Sequence, residues 1–291
     1  MKLSIIGLGN VGNAIFQTLS NHYEVLTYDT KKVSNSLENV AQTDLCFIAV
    51  PTPTHRGKQD ISAIVDTFVK LKNHKFKGVH VIKSTILPST TNYIQKLFPK
   101  AKIIHNPEFL TERSADKDFS NLKRVVIGGH DMKDMQALGN IYSTLGYSTA
   151  WYVSPTQAEY IKYLHNCFLA SKVAVLNEMY DIAKDLKVDY KSSIDIASEI
   201  TGWINKKHIQ VPGPDGWFGF GGACFPKDIE ALTDKFHHCN LEILDAVISS
   251  NKHRRRKESV LPIQYPVERI NLSHKPDQVI KRKRYSKKKT E

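Results

Sequence analysis

At 291 residues with 41% apolar content, the chain is long enough to bury one large core or two modest ones, which excludes disorder throughout. Its longest apolar runs, such as Leu45 to Val50, are far too short to span a bilayer, and no signal-peptide charge profile precedes the first strand pattern, so a cytoplasmic protein without membrane contact is expected. The net charge of +12 invites a nucleic-acid reading, yet fourteen Lys and Arg against four acidic residues from Asn251 onward leave the first 250 residues at only +2.

Leu3 to Ile6 is a β-prone run followed at once by Gly7, Gly9 and Gly12 and a helical pattern from Val11 to Leu19. A second strand, Val25 to Tyr28, ends at Asp29, and a buried strand is expected over Leu45 to Val50. Further strands are expected at Val79 to Ile82, Lys102 to His105 and Val125 to Gly128, with helical segments such as Ile61 to Leu71 between them. Strands alternating with helices give an α/β fold, a Rossmann-type doubly wound parallel sheet.

A long helix follows, with Ser154 as N-cap, Pro155 at the first helical position and Gln157 completing a capping box. It is expected to run to about Leu186, with Ile161, Leu164, Phe168, Leu169, Val173, Leu176 and Met179 at helical spacing, as a spine and a dimer surface. A smaller helical region reaches Ser250 and carries the loop VPGPDGWFGFGGACFPKD, Val211 to Asp228. Three segments result: an NAD-binding Rossmann domain (1–152), a central helical and dimerisation domain with the cysteine loop (153–250), and a basic, poorly ordered tail (251–291) with charge runs at Lys252 to Lys257 and Lys281 to Lys289. The tail is either a solvated segment or a contact for nucleic acid or an anionic surface.

The cofactor reading comes from the glycines and their context. GxGxxG after a strand and opening a helix lets the backbone approach a pyrophosphate, and Asp29, seventeen residues after Gly12, is placed to accept both ribose hydroxyls. A carboxylate there repels a 2′-phosphate, which favours NAD over NADP, although Lys31 and Lys32 stand close by.

Four cysteines, Cys46, Cys167, Cys224 and Cys239, lie far apart with no CxxC pair, so neither a disulfide framework nor a metal centre is expected. Cys46 in a strand and Cys167 on the spine read as small core side chains. Cys224 lies among Gly219, Gly221 and Gly222 with Lys227 close after it, an ammonium that favours the attacking thiolate. Lys162 and Asn166, four apart on the spine, project from one face as oxyanion donors or as an exposed polar pair. Glu108 and Glu112 flank an apolar turn after a strand end, each a candidate base or a solvated carboxylate.

Together GLGNVG (Gly7 to Gly12), VPTPT (Val50 to Thr54), KSTILPST (Lys83 to Thr90), NPEFLTERSA (Asn106 to Ala115), AEYIKYLHN (Ala158 to Asn166) and GFGGACFPKD (Gly219 to Asp228) resemble the UDP-glucose/GDP-mannose dehydrogenase family, in its order, from about Lys2 to Asn251. The resemblance implies an NAD-dependent four-electron oxidation of a nucleotide sugar, UDP-glucose before GDP-mannose, through a thiohemiacetal and a thioester on Cys224. It further implies that Lys162 and Asn166 stabilise oxyanions, that Asp228 positions or deprotonates water, and that Glu108 is the hydrolytic base with Thr85 beside it. Gly7, Gly9, Val11, Gly12, Asp29, Thr52, Thr85, Glu112 and Lys227 would hold the cofactor. Glu108, Phe109, Leu110, Glu112, Lys162, Asn166, Gly213, Trp217 and Gly221 would hold the sugar nucleotide.

Two departures stand out. Family members usually continue into a second Rossmann-like domain where this chain has its basic tail, and a separate polypeptide supplying that domain is one expectation. No arginine stands between Tyr190 and Asp215, where the family usually has one reaching the partner's substrate; Lys206, Lys207, His208 and Trp203 are the nearest replacements. The competing readings are a 3-hydroxyacid dehydrogenase working through a lysine, and a non-catalytic NAD-binding or scaffold protein of the same descent.

Overall fold

The computed structural model describes residues 1–109, 124–202 and 204–255. In chain order these form β1 (Lys2–Ile6), α1 (Asn10–Leu19), β2 (Glu24–Tyr28), α2 (Leu37–Val40), β3 (Leu45–Ile48), β4 (Thr54–His55), β5 (Lys58–Gln59), α3 (Ser62–Asn73), β6 (Val79–Ile82), α4 (Thr90–Leu97) and β7 (Lys102–His105). There follow β8 (Arg124–Gly129), α5 (Met132–Thr144), β9 (Thr149–Val153), α6 (Pro155–Asp185), α7 (Tyr190–Thr201), α8 (Phe225–Lys235) and α9 (Glu242–Arg254). Contacts gather the described residues into two compact units, Met1–Glu178 with 207–255, and Met179–Lys206.

In the first unit, one sheet has the order β2-β1-β3-β6-β7-β8-β9, and β4 and β5 form a separate hairpin. The first five strands of the sheet are parallel; β8 runs antiparallel to β7, with Ile104 opposite Gly129, and β9 runs parallel to β8. Strand side chains alternate between faces, and both faces are buried. Leu3, Ile5, Leu45, Phe47, Val79 and Val81 pack on one side with Ala14, Ile15 and Leu19 of α1 and Met135, Leu138 and Ile141 of α5. Ile6, Cys46, Ile48 and Ile82 pack on the other with Ile64, Phe68 and Leu71 of α3 and Ile94 of α4. Each such Leu, Ile or Phe contributes about 1.5–3 kcal/mol by leaving water. The doubly wound sheet is therefore the one expected, with two added strands reversed at its edge.

The spine is α6, whose 31 residues span roughly 46 Å at 1.5 Å per residue. Its start is the expected one: Gln157 N–H donates to Ser154 Oγ at 3.2 Å. One turn later Glu159, wholly buried, accepts from Ser89 N–H, Thr91 N–H and Thr91 Oγ1–H, each at 2.6 Å, and so fastens the spine to the first turn of α4. Cys46 and Cys167 are core side chains, as read. Among the described residues no helix is long and apolar enough to cross a membrane.

The tail reading needs adjustment at its start. Asn251 to Arg254 complete α9, and Asn251 and Arg255 hydrogen-bond the cysteine loop, so the first basic residues belong partly to the fold. A charge count cannot separate a solvated lysine from an arginine folded back on a carbonyl. Residues 256–291, and with them most of the proposed nucleic-acid or anionic-surface contact, lie outside the described residues, as do Trp203, Leu110 and Glu112.

Candidate active site

The carboxyl ends of β1, β3, β6 and β7 lie side by side, so the loops that follow them, at Gly7, Thr52, Thr85 and Glu108, share one edge of the sheet. The three glycines have distinct tasks. Gly7 has φ +94, and a Cβ there would stand 2.5 Å from Ala49 O; a Cβ on Gly12 would stand 1.9 Å from Gly7 O. A Cβ on Gly9, the N-cap of α1, would meet nothing within 4 Å, so this glycine faces open space at a helix N-terminus. Val11 packs against the core beside it.

Asp29 accepts from Leu8 N–H through Oδ2 and from Lys31 N–H through Oδ1, both at 2.7 Å, and these bonds, Leu8 first, hold its carboxyl below the usual range. The Lys32 ammonium donates to Leu8 O at 2.6 Å, drawing a cation onto the glycine loop. A groove lined by Gly7, Tyr28, Asp29, Thr30, Pro51 and Lys70 runs alongside. An ionised acceptor beside a glycine cradle open at Gly9 fits a dinucleotide with free ribose hydroxyls. Thr52 Oγ1–H donates to Thr85 O at 2.8 Å, joining the loops after β3 and β6.

Lys162 is the centre of the second cluster. Its side chain is buried, with the ammonium 5.4 Å above the Phe109 ring, and Phe109 in turn meets His165 edge-on. Burial pulls the Lys162 pKa down, while Asp228, Cys224 and Glu108, in that order, pull it up. One turn along, Asn166 Nδ2–H donates to Asp228 Oδ2 at 2.7 Å, both residues being buried. The solvated Lys/Asn pair is thereby ruled out. Cys224 is exposed at the N-cap of α8. The Lys227 ammonium lies 2.5 Å from Asp228 Oδ1. Thus Asp228 is gripped from both sides, by an amide and an ammonium.

The loop before Cys224 is held at several points. Gly219 N–H donates to Asn177 Oδ1 at 2.8 Å, Phe220 N–H donates to Asn251 Oδ1 at 2.7 Å, and Arg255 bonds both Phe220 O and Asp215 Oδ2. The Arg255 guanidinium occupies the space a Cβ on Gly221 would fill. Trp217 stays exposed, and Gly213 N–H donates to Trp217 O at 2.8 Å.

Sequence reasoning missed a buried group at the end of β6. Lys83 Nζ lies 2.9 Å from Glu108 Oε2 and donates to Asn106 Oδ1 at 3.0 Å. It also missed Gln59, on the β4–β5 hairpin, which donates to Thr85 O at 3.1 Å and Tyr163 Oη at 3.2 Å and accepts from Leu87 N–H. A lysine ending an apolar strand was the available signal for the first; the two-residue strands gave none for the second.

Comparison with known proteins gives a consistent answer. The chain matches the UDP-glucose/GDP-mannose dehydrogenase family, its NAD binding domain over residues 19–146 and its central domain over residues 156–253. A UDP-glucose 6-dehydrogenase of Rickettsia felis is 37% identical over 237 residues, 77% of this chain and 50% of that protein. The structure of a UDP-glucose dehydrogenase from Pyrobaculum islandicum superimposes with TM-score 0.76 at 27% identity, covering 87% of this chain and 68% of that one. A GDP-mannose dehydrogenase from Pseudomonas aeruginosa gives TM-score 0.64 at 25% identity, covering 87% and 69%. The chain spans about half the length of the curated relatives it matches.

Proposed function

The chain belongs to the UDP-glucose/GDP-mannose dehydrogenase family, whose NAD-binding domain it carries, and from that premise we propose that it oxidises UDP-glucose to UDP-glucuronate through a covalent intermediate on Cys224. The observation that carries the reading is the buried Lys162 ammonium one helical turn from Asn166, whose amide holds buried Asp228 at 2.7 Å in the helix that Cys224 caps. NAD, when bound, accepts a hydride at each of two oxidation steps. Gly7, Gly9, Gly12, Val11 and Asp29 would hold its adenosine and pyrophosphate, and Thr52, Thr85 and Lys227 its nicotinamide end, with Glu112 proposed from the motif alone.

Cys224 Sγ adds to the C6 aldehyde to give a thiohemiacetal, and the second oxidation leaves a thioester on the same sulfur. Lys162 and Asn166 donate to the oxygen that becomes negative in these steps; a buried donor acts there more strongly than in water. Asp228, fixed by Asn166 and Lys227, orients water, and Glu108 takes its proton. Phe109, Gly213, Trp217 and Gly221 border the sugar nucleotide, with Leu110 proposed from the motif. The spine places exposed Leu164, Phe168 and Val175 along one helix, which supports a homodimer through α6. Phe168→Glu is expected to halve the sedimenting mass.

The test is NADH formation by the purified chain with UDP-glucose and NAD. Two NADH per uronate, abolished in Cys224→Ser, is the expected result. GDP-mannose is the second substrate to try, given the likeness to a GDP-mannose dehydrogenase. NAD binding with no NADH from either sugar, alone or with a polypeptide supplying a further nucleotide-binding domain, refutes the enzyme reading and leaves a cofactor-binding scaffold.

A further inference from the structure

Glu108, assigned above as the base of hydrolysis, is held by a group outside that assignment. Its Oε1 accepts from Phe109 N–H at 2.9 Å, and its Oε2, buried and without a hydrogen bond among the described residues, stands in an ion pair with Lys83 Nζ at 2.9 Å, the two side chains being only 9% and 2% exposed. Lys83 is itself fixed. Its ammonium donates to Asn106 Oδ1 at 3.0 Å and to Tyr142 Oη at 3.4 Å, while Tyr142 donates its own proton to Asn106 Oδ1 at 2.5 Å. Asn106 cannot swing away, because its amide donates to Val126 O at 2.7 Å.

A buried ion pair adds little stability over an apolar pair of the same volume, so packing alone does not account for an ammonium at this place. Nor, among the described residues, do the other groups around Glu108 replace it. His105, wholly buried, has its pKa lowered to about 3, by burial first and then by Lys83 and Lys162. Burial keeps the phenols of Tyr142 and Tyr147 neutral. Lys162 is shared with Asp228 and Cys224, and Arg124 lines the small cavity on the β8 side of Glu108.

We propose that Lys83 is a positioning residue for the hydrolytic step, holding the Glu108 carboxylate aimed so that it takes the proton of the attacking water. This rests on the reading of Glu108 and Cys224 given above. In that step water oxygen bonds to the acyl carbon as its proton passes to Glu108. The C–S bond then breaks, its electron pair leaving on Cys224 Sγ, which recovers the proton from Glu108. Without the Lys83 ammonium, the carboxylate loses its ion-pair partner at Oε2, and the thioester persists.

The experiment mixes the chain with UDP-glucose and NAD, follows the NADH burst, and quenches at intervals for mass analysis of the Cys224 peptide. Lys83→Met, of similar length without charge, is expected to keep a first-turnover burst while the acyl adduct accumulates and uronate release slows by about 10²-fold. Lys83→Arg is expected to recover most of the rate. If circular dichroism shows Lys83→Met unfolded, Tyr142→Phe is measured instead: it keeps every charge, removes the hydroxyl that accepts from Lys83 and donates to Asn106 Oδ1, and is expected to lengthen the adduct's life about three- to tenfold. Uronate release at the parental rate in the folded variant overturns the proposal alone, as does loss of the burst in a variant that still binds NAD. No burst in the parent chain overturns the functional reading, and the proposal falls with it.

Discussion

Gly9→Ala and Gly12→Ala place the same methyl group three residues apart, and the geometry separates their consequences. At Gly12 the new Cβ would stand 1.9 Å from Gly7 O and 3.0 Å from Gly7 C, both backbone atoms in the turn that opens the dinucleotide site. Neither can rotate aside, so helix α1 must shift away from β1. Overpacking of this kind costs about 3 kcal/mol, which in a unit of this size lowers the melting temperature by roughly 6–12 °C. At Gly9 the Cβ meets nothing within 4 Å and the backbone has φ −71, so alanine fits the free chain. The loss there is the small difference between glycine and alanine at an N-cap, roughly 0.5 kcal/mol. The methyl does occupy the space a pyrophosphate needs for contact with the backbone, and NAD binding is expected to weaken at least about tenfold, or ~1.4 kcal/mol. Scanning calorimetry and NAD titration by isothermal calorimetry read the two effects independently. Unchanged NAD affinity in Gly9→Ala would show that the pyrophosphate does not cross this glycine, and an unchanged melting temperature in Gly12→Ala would refute the packing argument.

Asn166→Ala deprives buried Asp228 Oδ2 of its donor at 2.7 Å, and the loss of a hydrogen bond to a charged group is expected to lower unfolding free energy by about 2 kcal/mol in urea titration. A change below about 0.5 kcal/mol would mean that Lys227 alone satisfies the carboxylate. Iodoacetamide at pH 8 is expected to label Cys224 and Cys239, which are exposed, and to spare Cys46 and Cys167, whose thiols burial pushes up to about 12; four adducts before unfolding would contradict the burial of the latter pair. Acid should weaken the fold early, because His80 and His105 are buried with pKa values lowered to about 4 and about 3. Below the unfolded value near 6.5 the unfolded chain binds more protons, so each histidine removes up to ~1.4 kcal/mol per pH unit as pH falls toward the folded values. Urea midpoints at pH 6 and pH 5 check this, and equal midpoints would place both rings in water.

Much of the fold was legible because burial leaves periodic traces. Val79–Ile82 and Lys102–His105 are the strands expected, and β1, β2, β3 and β8 differ by at most two residues at their ends. Each is a short apolar run between turns. Strand β9 was missed since it borders the sheet, with Trp151 and Tyr152 exposed, and so lacks a buried apolar run. The hairpin was missed since two-residue strands carry no period.

The site was legible wherever a residue's role depends on its own chemistry and illegible wherever it depends on a partner distant in the chain. Cys224, Lys162, Asn166 and Glu108 could be singled out from type and spacing, and Asp228 from the family resemblance. The contact of Lys227 with the next carboxylate could not, because it depends on one rotamer, and the structure places the ammonium 2.5 Å from Asp228 Oδ1. Lys83 is the converse case. In sequence it is a cation before Ser84 and Thr85, and its meaning comes from Glu108, twenty-five positions later on the neighbouring strand's end, which the parallel pairing of β6 with β7 brings to the same edge. Parallel strands bring together residues separated by a whole crossover, so the pairing of Lys83 with Glu108 is a property of the sheet's register, and a motif read along one segment holds only half of it.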